Sequence, residues 1–229
     1  MIFSFSQGLQ KATDFGLRQW RILDSWVGAM LLDVSESQLV LVDYQSRLFP
    51  AMFEAEKTWA HAASLAKLAH RLAVPVWGTA QNPSGLGELA PEISAHCRQV
   101  LAKMQFSAVE EGLGEWLKPE PEAPKGNARS LPRHLQKNHS ATPERNTIVI
   151  AGCEAHVCLL QTALDLIEDE FDVWVVTDAC TSRSERNRDA AFDRLAAAGA
   201  ELLTTEMVGF EWLRSAEHPE FKYWQSLIK

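Results

Sequence analysis

Two cysteines, one aspartate and one lysine stand out as groups that could do chemistry. Cys153 and Cys158 lie five residues apart in AGCEAHVCLLQTALDL (151–166), where a strand-like run turns into a helix-like one. A thiol at a helix N-terminus meets free backbone N–H groups and the positive end of the helix dipole. Both stabilise a thiolate and lower the thiol pKa. Cysteine is equally at home as a small buried apolar group, and position alone leaves the two roles of Cys158 evenly balanced. Asp43 ends the apolar run QLVLVD. It is a strand-end turn residue or a carboxylate fixed for general-base work. Lys103 ends the weaker run RQVLAK. By type it is a solvated lysine, and only its place at a strand's carboxyl end marks it out. Cys153, directly after Gly152, reads as core packing, with a reversible Cys153–Cys158 disulfide as the minor alternative. A C-x4-C pair with no second pair at metal spacing is not a zinc motif. The seven histidines form no ligand array. His156, two residues before Cys158, either lines a site or caps and packs.

The elements that must position these groups alternate in type. Gln38–Asp43, Val74–Thr79, Arg98–Lys103, Thr147–Gly152, Asp172–Asp178 and Ala200–Thr205 are expected strands. Glu54–Leu72, His156–Glu170 and Ser184–Ala198 are expected helices, with Gly199 as a helix stop. Near-continuous apolar strands separated by helices predict an α/β fold. The expected form is a three-layer sandwich with a mostly parallel central sheet of about six strands and right-handed crossovers. Ligands in such folds bind beyond the carboxyl ends of the strands. Asp43, the Thr79–Gly87 loop, Lys103, Gly152–Cys158 and Asp178–Ser184 all fall there. Residues 30–229 are the expected main domain. Residues 1–29, with Trp20 and Trp26, are a helical or poorly ordered extension, and Met30 offers a second start. Lys118–Arg145 carries five prolines among charges and reads as a surface insertion.

A chain of 229 residues can bury a full core without staples. Its formal net charge of -8 argues against nucleic acid or an anionic membrane as the main partner. Four scattered cysteines do not make a secreted disulfide framework, so a reducing, cytoplasmic setting is expected. No apolar run reaches the roughly 18–20 residues of a membrane span, and no secretory leader is expected at the N-terminus.

The order and spacing of several stretches resemble the isochorismatase-like cysteine hydrolase superfamily, which includes nicotinamidases and N-carbamoylsarcosine amidase. These stretches are LVLVDYQSRLFPAM, VPVWGTAQNPSGLG, LAKMQFSA, AGCEAHVCLLQTALDL, VWVVTDACTSRSERNRDAAFDRLAAAGAELLTTEMVGFEWL and HPEFKYWQSLIK. The resemblance covers roughly residues 31–229 apart from the insertion. It points to the branch of isochorismatase domain-containing proteins.

What the resemblance implies is specific. A catalytic Asp-Lys-Cys triad falls on Asp43, Lys103 and Cys158. A cis peptide falls at Cys153–Glu154, and the N–H groups of Glu154 and Cys158 form an oxyanion hole. Gln45, Phe49, Gln81 and His156 are the expected substrate contacts. The family's metal-binding nicotinamidases carry an Asp-x-His element where this chain has TAQNPSGLG, so neither a metal nor another cofactor is expected. True isochorismatases typically lack the cysteine, so Cys158 implies amide-type hydrolysis of a small molecule. Homo-oligomers are common in the family, and Phe210, Trp212 and Trp224 are either a contact surface or core. Two other readings stay open: a non-catalytic binding or scaffold member of the fold, and a redox-responsive thiol protein using Cys153 and Cys158.

Overall fold

The computed structural model describes residues 31–118 and 145–229. The 1–29 extension and all but the two ends of the 118–145 insertion lie outside the described residues.

Six of the strand-like runs become β1 (Ser37–Val42), β2 (Val76–Gln81), β3 (Gln99–Lys103), β4 (Thr147–Gly152), β5 (Asp172–Val176) and β6 (Glu201–Leu203). They form one sheet in the order β3-β2-β1-β4-β5-β6, and every neighbouring pair is parallel. The two central strands, β1 and β4, are buried along their whole length. That is why their sequences read as unbroken apolar runs rather than alternating ones. The principal helices are α1 (Ala55–Arg71), α2 (Leu160–Glu168), α3 (Glu185–Ala197), α4 (Thr205–Leu213) and α5 (Phe221–Leu227).

Chain order places the layers. The step from β1 through α1 to β2 runs toward one edge of the sheet. The steps from β4 through α2 to β5, and on through α3 to β6, run toward the other. Right-handed crossovers then put α1 on one face and α2 and α3 on the opposite face. In agreement, α1 packs with α4, and α2 with α3. The stripe Ala55, Thr58, Trp59, Ala62, Leu65, Ala66 and Ala69 is the buried side of α1, at the spacing of one helical face. The two directions part between β1 and β4. A crevice at such a switch point is the usual ligand site of a parallel sheet.

Three expectations are corrected at element ends. The fifth strand stops at Val176, because Thr177–Ala179 turns and Asp178 Oδ1 accepts from the N–H and hydroxyl of Thr205. The last strand stops at Leu203, because Thr204 caps α4 by accepting from the Met207 N–H. The helix expected from His156 begins instead as a π-helical turn over Ala155–Leu159 and becomes α-helical at Leu160. Gly199 does end its helix, with a φ of 100° that suits glycine. Trp212 and Trp224 are core residues, whereas Phe210 stays exposed.

Gly152, the last residue of β4, pairs with Val42, the last of β1. A Cβ there would lie 2.5 Å from Val42 Cβ and 2.6 Å from the Val42 carbonyl oxygen, which cannot swing away as a side chain could. Gly152→Ala is therefore expected to destabilise the protein by about 2 kcal/mol, a drop of roughly 4–8 °C in Tm, read by thermal melting.

Candidate active site

Asp43 follows β1 directly and adopts a φ of 55°, a left-handed conformation that aspartate tolerates better than most residues. Two contacts to β2 hold it. Its N–H donates to the Thr79 carbonyl at 3.2 Å, and its Oδ1 accepts from Thr79 Oγ1 at 2.7 Å. Lys103 is the last residue of β3, and its Nζ lies 2.8 Å from Asp43 Oδ2. Both side chains have 0% exposure. An ion pair so buried persists only with good geometry and further hydrogen bonds.

Lys103 has those bonds. Its ammonium donates to Gln81 Oε1 at 2.7 Å, the Phe106 carbonyl at 3.1 Å and the Gln105 carbonyl at 3.4 Å. An ammonium has three donors, and Asp43 shares them with these acceptors. The 2.8 Å ion pair is what holds Asp43 Oδ2, which among the described residues has no other hydrogen-bond partner. A charged carboxylate oxygen with an unclaimed lone pair is a ready proton acceptor.

Cys158 lies within the π-helical turn and is 6% exposed. Turns of this kind recur at functional sites. Its thiol donates to Gln81 Oε1 at 3.7 Å. Burial, then the negative charge of Asp43, push the thiol up to about 12, against the pull of Lys103. The lowering expected at a helix N-terminus is thus overturned. Desolvation and a facing carboxylate both disfavour the thiolate here. Near neutral pH the resting group is the thiol.

The Cys153–Glu154 peptide is cis. The Glu154 carbonyl accepts from the Val157 and Leu159 N–H groups, and its side chain pairs with Arg183 Nε at 2.7 Å. The Ala155 N–H donates to the Thr181 carbonyl, and the Thr181 N–H to the Gly152 carbonyl, so residue 181 braces the turn from the β5 side. Cys153 is fully buried. Burial and the neighbouring Cys180 push its thiol well above the ordinary range. Among the described residues all four cysteines are free thiols.

The four expected substrate contacts have distinct surroundings. Gln45 is fully buried. Its amide accepts from the Gln81 N–H and donates to the carbonyls of Gln81 and Gly87, clamping the loop after β2. Gln81 joins Lys103 to Cys158 through one oxygen. His156 Nδ1 lies 3.0 Å from Ser182 Oγ and its Nε2 3.4 Å from Asn187 Nδ2, which ties it to the start of α3. Phe49 packs edge-on to Trp59 at 5.0 Å. Thr79, at the start of the loop expected to face ligands, and Glu111, which the sequence does not single out, belong to the same framework. Glu111 Oε1 accepts the N–H groups of Met104 and Gln105, pinning the segment whose carbonyls hold Lys103. Glu111 carries no sequence signal beyond its place among acidic residues, and Thr79 lies within β2, opposite Val42.

Residues 130–207 match the family model described as Isochorismatase domain. The chain is 35% identical over 193 residues to isochorismatase domain-containing protein 2 of Bos taurus, covering 84% of this chain and 83% of that protein. To the Homo sapiens protein of that name it is 34% identical over the same shares. Among solved structures, the MAR1 ribonuclease of Caenorhabditis elegans superposes with a TM-score of 0.72 at 28% identity, covering 87% of this chain and 92% of that one. The YcaC gene product of Escherichia coli, described as an octameric hydrolase of unknown specificity, gives 0.68 at 26% identity over 87% and 96%.

Proposed function

The chain belongs to the isochorismatase family, whose fold is that of a hydrolase, and from that premise we propose that it is a metal-independent cysteine hydrolase. It cleaves the C–N bond of a small amide-type substrate through a covalent acyl-enzyme, in a reducing, cytoplasmic setting. The observation that carries this reading is the fully buried Asp43–Lys103 ion pair, linked through Gln81 to the Cys158 thiol.

In the proposed cycle Asp43 Oδ2 takes the thiol proton as Cys158 Sγ bonds to the substrate carbonyl carbon. Lys103 stays charged and offsets the negative charge shared by thiolate and carboxylate. The carbonyl oxygen becomes an oxyanion, and the N–H groups of Glu154 and Cys158 are its proposed donors. Asp43 returns its proton to the nitrogen, the C–N bond breaks, and ammonia or an amine leaves. Water then attacks the thioester with Asp43 as base, releasing a carboxylic acid and restoring the Cys158 thiol.

The segment Thr79–Gly87 supplies no histidine for a metal, and the cycle routes no step through one. A net charge of -8 favours a small molecule over a polynucleotide. No helix among the described residues is long and apolar enough to cross a membrane. We also propose assembly from several copies, for which the octameric neighbour and the exposed Met207 and Phe210 of α4 are the support.

The function is tested by incubating the protein with a library of small primary and secondary amides and reading released ammonia or amine. The expected result is turnover of a related group of amides that persists in the presence of EDTA. Turnover lost to EDTA, or hydrolysis only of esters and vinyl ethers, would contradict it.

A further inference from the structure

We infer that Gln81 is a positioning residue, whose one side-chain oxygen holds both the resting Cys158 thiol and the Lys103 ammonium. Both ends of its amide are committed. Oε1 accepts from Lys103 Nζ at 2.7 Å and from Cys158 Sγ at 3.7 Å, while Nε2 donates to the Met104 carbonyl at 2.8 Å. The network fixes which way the amide faces. Reversed, its NH2 would meet two donors and its oxygen would meet a carbonyl. The main chain of Gln81 is held as firmly, because the buried Gln45 amide takes its N–H at 2.9 Å and donates to its carbonyl at 3.0 Å. A residue fixed at four polar atoms is built to hold a position.

Two consequences follow for the site. By taking one ammonium N–H at 2.7 Å, Gln81 fixes Lys103 in place beside Asp43 Oδ2, which lies 2.8 Å away. By accepting from the thiol, an amide oxygen, itself too weak a base to remove the proton, holds the nucleophile in its neutral form until substrate arrives. The charged groups that bear on the thiol are Asp43 at the end of β1 and Lys103 at the end of β3. Gln81, at the end of β2, stands between them as the neutral member. The inference rests on Cys158 being the nucleophile, yet its test uses no substrate. A protein that hydrolyses no amide and a misassigned Gln81 therefore give different results.

The test is the rate at which iodoacetamide alkylates Cys158 at about pH 8.5, followed by mass spectrometry of the peptide that contains it. Gln81→Met removes the acceptor and frees an ammonium N–H toward the sulfur, so alkylation is expected to rise about fivefold, the size of one hydrogen bond. Gln81→Glu keeps the oxygen and adds negative charge beside the sulfur, so alkylation is expected to fall by about as much. A merely loosened pocket would speed both variants. Rates that move in the same direction, or that both stay within about twofold of the parent, would overturn the inference. Should Gln81→Met fail to fold, Gln81→Glu alone decides it, since slower alkylation supports the assignment and unchanged or faster alkylation contradicts it.

Discussion

Replacing Asp43 by asparagine is expected to lower turnover by about 10²–10⁴-fold, the usual contribution of a positioned general base, while making the Cys158 thiol easier to ionise. The two effects run in opposite directions for a physical reason. In the proposed cycle the Asp43 carboxylate is the proton acceptor, and after burial it is also the largest cause of the thiol's elevation to about 12. Removing its charge leaves Lys103 as the charged neighbour of the sulfur among the described residues. The thiol pKa then falls, and the thiolate fraction at a given alkaline pH rises. Asparagine suits the left-handed backbone at this position and can keep the bond from Thr79 Oγ1. Pairing amide turnover with iodoacetamide alkylation of Cys158 reads both effects. If Asp43 only supported the fold, restoring the fold at lower temperature would restore activity, whereas loss of turnover in fully folded protein supports the base.

Cys158→Ala is expected to remove hydrolysis altogether, on the order of 10⁴-fold or more, because without the sulfur no acyl-enzyme forms. The accompanying loss of stability is small. One sulfur leaves a site that is already slightly open, and the expected change is about 1 kcal/mol or less. Melting and turnover measured on the same preparation separate the two. Lys103→Met would be the harsher change for the fold. It strands the Asp43 carboxylate with no counterion at 0% exposure, a defect of about 3–5 kcal/mol.

Much of the architecture is legible in the sequence because its strands are apolar throughout. TIVIAG becomes β4 residue for residue, and QLVLVD becomes β1 shifted by one position. Element ends are less legible. Whether Thr204 extends a strand or caps a helix depends on α4, which no strong hydrophobic period announces. The π-helical turn at Ala155–Leu159 has the same composition as an ordinary first helical turn, so only the fold distinguishes it. At the site, Asp43, Lys103 and Cys158 can be picked out as strand-end residues. Nothing local links them, and their roles come from family resemblance. Their approach depends on a strand order that sets β1 between β2 and β4. A helix terminus, which would lower the thiol's pKa, is visible in sequence, whereas burial beside a carboxylate, which raises it, is not. Gln45 and Gln81 look alike as polar strand-end residues, and only their hydrogen bonds separate a loop clamp from a link between ammonium and thiol.

The central claim is a covalent intermediate on Cys158, and the most direct measurement is mass spectrometry of reactions quenched in acid during turnover of an amide. An added mass equal to the acyl group is expected, mapped to Cys158 in the 151–166 stretch. Release of amine in step with acylation is also expected, and no adduct in Cys158→Ala. Steady turnover by the Cys158→Ala variant, or an adduct carried by another residue of the turning-over enzyme, would contradict it.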